Sequence, residues 1–546
     1  MRFVQGGLGR PNALQSDRAC LGWRGIAPAK GPADAGRFVT GQICQDHPSA
    51  HSNCLFEIPD TEGASMTIAT HHPVALPGYD RSTLSPGIVH IGLGNFHRAH
   101  MAVYLDDLFA LGQDHDWAIL GAGVRAGDEN MRQALAQQDY LSTVITLDPA
   151  GNSARRVGAM TGFVPVTDDN APLIAAMTAP AIRIVSLTVT EGGYYVGPDG
   201  GFDASHPDIT HDAAHPTKPC TAFGAILAAL RARHTAGTPP FTVMSCDNLP
   251  GNGHVTHATV TGLARLQDAT FATWVDANVA FPNGMVDRIT PATGARERAL
   301  ATSFGLSDSV PVTAEGFRQW VLEDNFPTGR PALERVGVTF TNQVHAFEAM
   351  KIRILNGGHA IIAYPSALMG LTHVHEAMAH PLIRAFLRKV ETDEVLPHVA
   401  PVPDTSIPAY LDLIVERFSN PEIADTTARL CLDGSNRQPK FIVPSLTDNL
   451  AAGVVPHGLI LLSALWCHYC AGVTDAGVAI PPNDPDWDAL QARAKAAKSD
   501  PAQWLQMATV YGEISHDARV VAAFAQALRD VQTMGTEAVL KACLAG

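Results

Sequence analysis

Ile88-Val89-His90-Ile91-Gly92-Leu93-Gly94-Asn95-Phe96-His97-Arg98 decides the fold class. Four residues of β character run into two glycines one residue apart, and a helical pattern follows from about Arg98 to Leu111. Strand, tight turn and helix together hold a dinucleotide pyrophosphate. The glycines let the backbone approach, and the helix start offers unpaired N–H groups and a positive dipole end. His97 stands where that fingerprint expects its third glycine, so an ordinary strand-to-helix turn explains the stretch equally well. Working outward, Trp117-Ala118-Ile119-Leu120-Gly121 reads as the next strand. Runs at 182–189 and 241–245 have the β-branched character of buried parallel strands. Such alternation implies an α/β architecture with a parallel sheet. From about Phe340 the pattern turns helical, broken by a proline-rich stretch at 397–408. The expected organisation is a Rossmann-type dinucleotide-binding domain over 66–342 followed by a mainly α-helical domain over 343–546.

The chain has 546 residues, 46% of them apolar and 17% charged, which suits a folded protein with substantial cores. A net charge of -15 argues against nucleic acid as a partner, because phosphate recognition needs clustered Lys and Arg. No apolar run approaches the length of a membrane span. Nine cysteines scattered over this length make no disulfide framework, and Cys467-His468-Tyr469-Cys470 reads as a buried structural pair. Residues 1–65 mix Gly, Pro, Arg and acids without periodicity, and they contain neither an export signal nor the acid-poor composition of a presequence. The folded protein is therefore expected to begin near Met66, with a poorly structured extension before it. A cytoplasmic location is expected from the same lack of export and membrane signals.

Two further stretches carry chemistry. Asp128 follows the second strand, where a dinucleotide-binding domain places a carboxylate for the adenosine ribose hydroxyls. It lies farther from Gly94 than the usual ~20 residues, and a longer first helix would absorb the difference. A carboxylate there repels a 2'-phosphate and favours NAD over NADP, although Arg125 is close by. The second stretch is Lys351-Ile352-Arg353-Ile354-Leu355-Asn356-Gly357-Gly358-His359. On an α-helix Lys351, His359 and Asn356 fall at about 0°, 80° and 140°, so one face would present a base, a positioning group and an amide donor. A polar helix edge is the plainer explanation, and Gly357-Gly358 as a helix breaker would undo the angular argument. Zinc is a weaker alternative. His373, His375 and His380 surround Glu376 without HExxH spacing, and His254 and His257 lack a third ligand.

Together these segments resemble the polyol-specific long-chain dehydrogenases. The resemblance rests on Gly92 to His100, Thr190-Glu191-Gly192-Gly193-Tyr194, Cys246-Asp247-Asn248-Leu249-Pro250-Gly251-Asn252-Gly253, Phe281 to Pro291, and Lys351 to His359, and it runs from about Leu84 to the C-terminus. It implies metal-independent, NAD-linked oxidation of a small polyol to a ketose, with oligomeric state open between monomer and dimer. Lys351 matches a general base, Asn248 and Asn356 paired amides around the reacting oxygen, and His359 a positioning residue. Asp287 matches a group near the base that tunes the lysine or binds a hydroxyl; pairing with Arg288 is its plain alternative. Gly92, Gly94, Asn95, Phe96, His97, Arg98, Asp128 and Glu191 are the expected cofactor residues. Arg429, Asn436, Arg437 and Lys440 are expected to grip the far end of the sugar chain. The stretch from Asp433 to Phe441 resembles members that oxidise D-mannitol to D-fructose rather than hexuronate reductases. The cations at 429, 437 and 440 keep an acidic substrate open, and a non-catalytic NAD sensor on the same fold is the alternative of another class.

Overall fold

Residues 73–197 and 200–546 are described by the computed structural model, so the expectations for residues 1–65 and for a start at Met66 lie outside the described residues. Strand β1 (Pro86–Ile91) forms the centre of a five-stranded sheet with β2 (Ala118–Ala122), β3 (Met160–Phe163), β4 (Ile184–Leu187) and β5 (Thr242–Ser245). Their spatial order is β3-β2-β1-β4-β5, and every pairing is parallel. The chain fills one side of β1 and then crosses to the other, which opens a crevice at the carboxyl ends of β1 and β4. Side chains alternate between two cores: Ile88, Ile184 and Met244 face one, while Val89, Ile91, Val185, Leu187 and Val243 face the other. With both faces covered, the strands read as nearly unbroken apolar runs.

His90 is the polar exception. Its ring bonds Ser186 Oγ (2.8 Å) and Thr188 Oγ1 (2.9 Å), and burial lowers its pKa to about 3, so it is neutral. Gly92 follows with φ +98°, and a Cβ there would meet Thr188 O at 2.2 Å, so only glycine fits this turn. The single helix expected at 98–111 is two helices, Asn95–Ala99 and Met101–Ala110, broken at His100. Tertiary contact overrides helical propensity here: the His100 ring bonds Gln319 O (2.9 Å) and packs against Trp320. A smaller sheet matters for the site, in which Gly284–Asp287 pairs antiparallel with Gln319–Leu322.

From Val344 onward every named element among the described residues is helical. The first is a run of three joined segments, α-helical Val344–Met350, π-helical Lys351–Asn356 and α-helical Gly357–Leu368. Helical backbone passes through Gly357 and Gly358, so the glycines do not break it. A separate close approach fixes the Gly434–Phe441 helix, since a Cβ on Gly434 would lie 2.7 Å from Tyr364 Oη and 2.8 Å from Trp466 Nε1. Cys467 and Cys470 are buried free thiols. No helix among the described residues is long and apolar enough to cross a membrane.

Arg417, near the end of the Ile407–Phe418 helix, ties this helical part to the strands. Its guanidinium donates to both oxygens of Asp287 (2.8 and 3.0 Å) and both of Glu315 (2.9 and 2.7 Å), and it covers the Phe317 ring at 4.2 Å. All three charged side chains are at most 5% exposed. Replacing Arg417 with Met should lower unfolding free energy by about 3–5 kcal/mol in denaturant titration, because two carboxylates stay buried without their cation. The same change at Arg388, whose pair with Asp412 is exposed, should leave the midpoint within error.

Candidate active site

Three connected depressions follow the crevice. One groove, of about 420 Å³, runs past Gly92, Gly94 and Asp128 at the ends of β1 and β2. It shares Gly94, Thr188 and Thr190 with a second of about 720 Å³, lined also by Asn95, Phe96, Asn248, Asp287 and Lys351. The second opens into a cavity of about 480 Å³ that reaches Asn356, His359, Arg429 and Arg437. Lys351 and Asn248 line both the second groove and the cavity, and so mark their junction.

The Lys351 side chain is buried, and its Nζ donates to Asn248 Oδ1 and to Val286 O, both at 2.7 Å. A neutral amine has two hydrogens, and these two acceptors use both, which leaves its lone pair for the cleft. Burial lowers the lysine pKa below its ordinary value; Asp287 and Glu348 oppose that shift, and Arg417 adds to it. Burial also pushes the Asp287 carboxyl up, but Arg417 and Lys351 outweigh it and hold it below the usual range. Both Asp287 oxygens accept from Arg417, and the carboxylate acts on the lysine through space. The pairing of Asp287 with Arg288 does not occur. Arg288 donates instead to the backbone oxygens of Glu315 (3.0 Å) and Ala99.

Asn248 is held by the loop that follows β5. Asn252 clamps that loop, donating to Asp247 O (3.1 Å) and Gly284 O (2.7 Å) and accepting from Gly284 N (2.9 Å). Asp247 accepts from the N–H groups of Val189 and Thr190 and from Tyr194 Oη, which fixes the Thr190–Tyr194 turn against the groove. His359 stacks on Phe418 with centroids 4.1 Å apart, and its Nε2 has no hydrogen-bond partner. Burial, reinforced by Arg429, Arg417 and Arg437, drives its pKa far down, so the ring is a neutral donor or acceptor. The α-helical angles expected for Lys351, Asn356 and His359 do not apply, because the wider π-turn resets the spacing. All three line the cavity nonetheless.

The remaining expected residues divide. Gly92, Gly94 and Asp128 line the first groove, and Asn95 and Phe96 the second. One Asp128 oxygen accepts from the N–H groups of Val124 and Arg125 (both 3.0 Å), which fixes the carboxylate beside the groove. His97 and Arg98 line none of the three depressions. His97 is buried in a stack on His90 at 3.5 Å, and Arg98 spends its guanidinium on Val310 O, Asn95 Oδ1 and Gly94 O. They brace the turn from behind. Glu191 is exposed where the second groove meets the cavity, away from the ribose end. Arg429, Asn436, Arg437 and Lys440 all line the outer part of the cavity. Arg429 is paired with Asp425, while Lys440 is exposed and makes no ion pair among the described residues.

Sequence reasoning missed Arg417, Glu315 and Glu348. Glu348 lines the cavity three residues before Lys351 and accepts from Gly251 N (3.0 Å), and burial raises its pKa despite that bond. Its i,i+3 spacing from the lysine was a usable signal.

Comparison with known proteins agrees with this architecture. The family profile "Mannitol dehydrogenase Rossmann domain" matches residues 86–335, and "Mannitol dehydrogenase C-terminal domain" matches 343–532. The chain is 72% identical to a mannitol 2-dehydrogenase of Cereibacter sphaeroides over 472 residues, 86% of this chain and 99% of that protein. A mannitol 2-dehydrogenase of Aspergillus clavatus is 41% identical over 85% of this chain and 94% of its own. Among solved structures, the Pseudomonas fluorescens mannitol 2-dehydrogenase in ternary complex with NAD and D-mannitol is 42% identical, with TM-score 0.77 over 86% of this chain and 96% of that one. A substrate-free D-sorbitol dehydrogenase is 33% identical, with TM-score 0.80 over 86% and 97%. The chain belongs to the mannitol dehydrogenase family.

Proposed function

We propose that this protein oxidises D-mannitol to D-fructose with NAD⁺, reversibly and without a catalytic metal, using Lys351 as general base. The observation that carries the reading is the position of the Lys351 amine, at the meeting point of the two grooves and the cavity, with both hydrogens of its neutral form accepted by Asn248 and Val286. The crevice fits a dinucleotide: Gly92 permits the tight turn, and the Asp128 carboxylate stands at the end of β2 where ribose hydroxyls would bind. When bound, the nicotinamide supplies the hydride acceptor.

Lys351 removes the hydroxyl proton at Nζ as the carbon is oxidised. Burial favours this by disfavouring the ammonium, which otherwise titrates near ~10.4. Asn248 is held with Oδ1 on Lys351, so its Nδ2 is the atom left to donate to the reacting oxygen, and Asn356 lines the same cavity. His359 binds a neighbouring hydroxyl through its unpartnered Nε2, and Arg429, Asn436, Arg437 and Lys440 meet the distal hydroxyls. The relatives' names and the mannitol-bound structure support this substrate. The cations of Arg437 and Lys440 favour a hexuronate reductase as second reading.

Purified protein should reduce NAD⁺ with mannitol, and turnover confined to mannonate or altronate would establish the second reading instead. Lys351→Ala should lower kcat by at least about 10²-fold, the usual scale of general-base catalysis, while NADH affinity measured by fluorescence changes by less than about twofold. Asp128→Asn keeps an oxygen for the Val124 and Arg125 N–H groups but removes the charge. Its kcat/KM ratio of NADP⁺ to NAD⁺ should rise, by about tenfold for each 1.4 kcal/mol of relieved repulsion.

A further inference from the structure

Among the described residues, two side-chain groups outside the reacting centre each bring three potential metal ligands within reach of one ion: His211, Asp212 and Cys220, and His373, His375 and Glu376. The first group is already satisfied. The Asp212 carboxylate accepts from the N–H groups of Cys220 and Thr221, from Thr221 Oγ1 and from His211, and burial pushes the Cys220 thiol up to about 12, which suppresses the thiolate a metal needs.

The second group is not. Glu376 Oε2 accepts from the N–H groups of Thr372 (3.0 Å) and His373 (2.8 Å), which fixes the carboxylate. Its Oε1 lies 3.4 Å from His373 Nδ1. The rings of His373 and His375 stack at 5.3 Å, and the His375 Nδ1 is screened from solvent yet has no hydrogen-bond partner. Buried imidazole nitrogens without partners carry a desolvation cost that a Lewis acid would relieve. One nitrogen from each ring and one Glu376 oxygen lie within 4.8 Å of one another. A point among such atoms is at most about 2.8 Å from each, so inward shifts below about 1 Å reach zinc–ligand lengths of about 2.0–2.2 Å. His373 and Glu376 keep 34% and 42% of their side chains exposed, which admits the ion and a water ligand.

We propose that His373, His375 and Glu376 bind one divalent ion of the Zn²⁺ class, outside the catalytic centre, with water completing its coordination. Two imidazoles and one carboxylate suit zinc better than the all-oxygen sites of magnesium or calcium. The segment that would hold the ion is itself tied to a second turn. His373 bridges Thr426, Val374 N donates to Asp425 O (2.9 Å), and Thr427 N donates to Thr372 O (3.0 Å). Asp425 in turn holds Arg429 at the cavity. The ion would thus sit on a segment hydrogen-bonded to the one that carries Arg429, and its binding does not rest on the proposed function.

Equilibrium dialysis of the full chain, stripped with chelator and then titrated with Zn²⁺ alone, tests the site. His373→Ala and His375→Ala should each take up one Zn²⁺ fewer per chain than the parent in the micromolar range, and Cys220→Ser should match the parent. Zn²⁺ should raise Tm of the parent and not of His375→Ala. Circular dichroism and mannitol turnover without zinc should be those of the parent in both histidine variants, which establishes that they fold. Equal uptake by the parent and both histidine variants, or loss confined to Cys220→Ser, would overturn the proposal. Absence of mannitol turnover in the parent would defeat the functional reading and leave the zinc result standing.

Discussion

Arg417 stands at the seam between the parallel-sheet part of the chain and its helical part. One guanidinium satisfies two buried carboxylates, Asp287 from the strand that supplies Val286 and Glu315 from a strand of another sheet. Desolvating three charges is expensive, and only the complete set of paired hydrogen bonds makes the arrangement tolerable. The arrangement has two consequences for the cleft. It fixes the strand whose carbonyl at Val286 receives the Lys351 amine. It also sets near that amine a carboxylate whose pKa Arg417 holds below the usual range, so that it stays ionised. The lysine is thereby placed in a balanced field: burial favours the neutral amine, Asp287 favours the ammonium, and Arg417 shifts the balance back. A group that must accept a proton in one direction and return it in the other needs such a balance.

The π-helical segment is the second constraint. A uniform α-helix over the same residues would turn Asn356 and His359 to different positions relative to Lys351. The wider turn at 351–356 lets amine, amide and imidazole line one cavity. π-turns occur frequently at functional sites.

Much of the fold was legible because its signals are local. Strand β1 with its glycine turn, and the alternation with helices, follow from period and from backbone sterics within a dozen residues. The π-turn was not legible, because no residue type marks an i→i+5 bond. His97 and Arg98 fill the expected positions after the glycines yet point into the core, a choice decided by His90, Val310 and Asn95 rather than by spacing. Arg417 was invisible for another reason: its partners lie 130 and 102 residues away, and nothing next to it in the chain announces them. The candidate site was thus readable as a set of residue types, while the electrostatics that adjust Lys351 became readable only in three dimensions.

The central claim is that burial makes the Lys351 amine a working base. The pH dependence of kcat/KM for mannitol oxidation reports the ionisation of the free enzyme's base directly. The account predicts activity that rises with pH through an inflection below the ordinary lysine value of ~10.4, and an inflection that vanishes from the residual activity of Lys351→Ala. An identical inflection in that variant would contradict it.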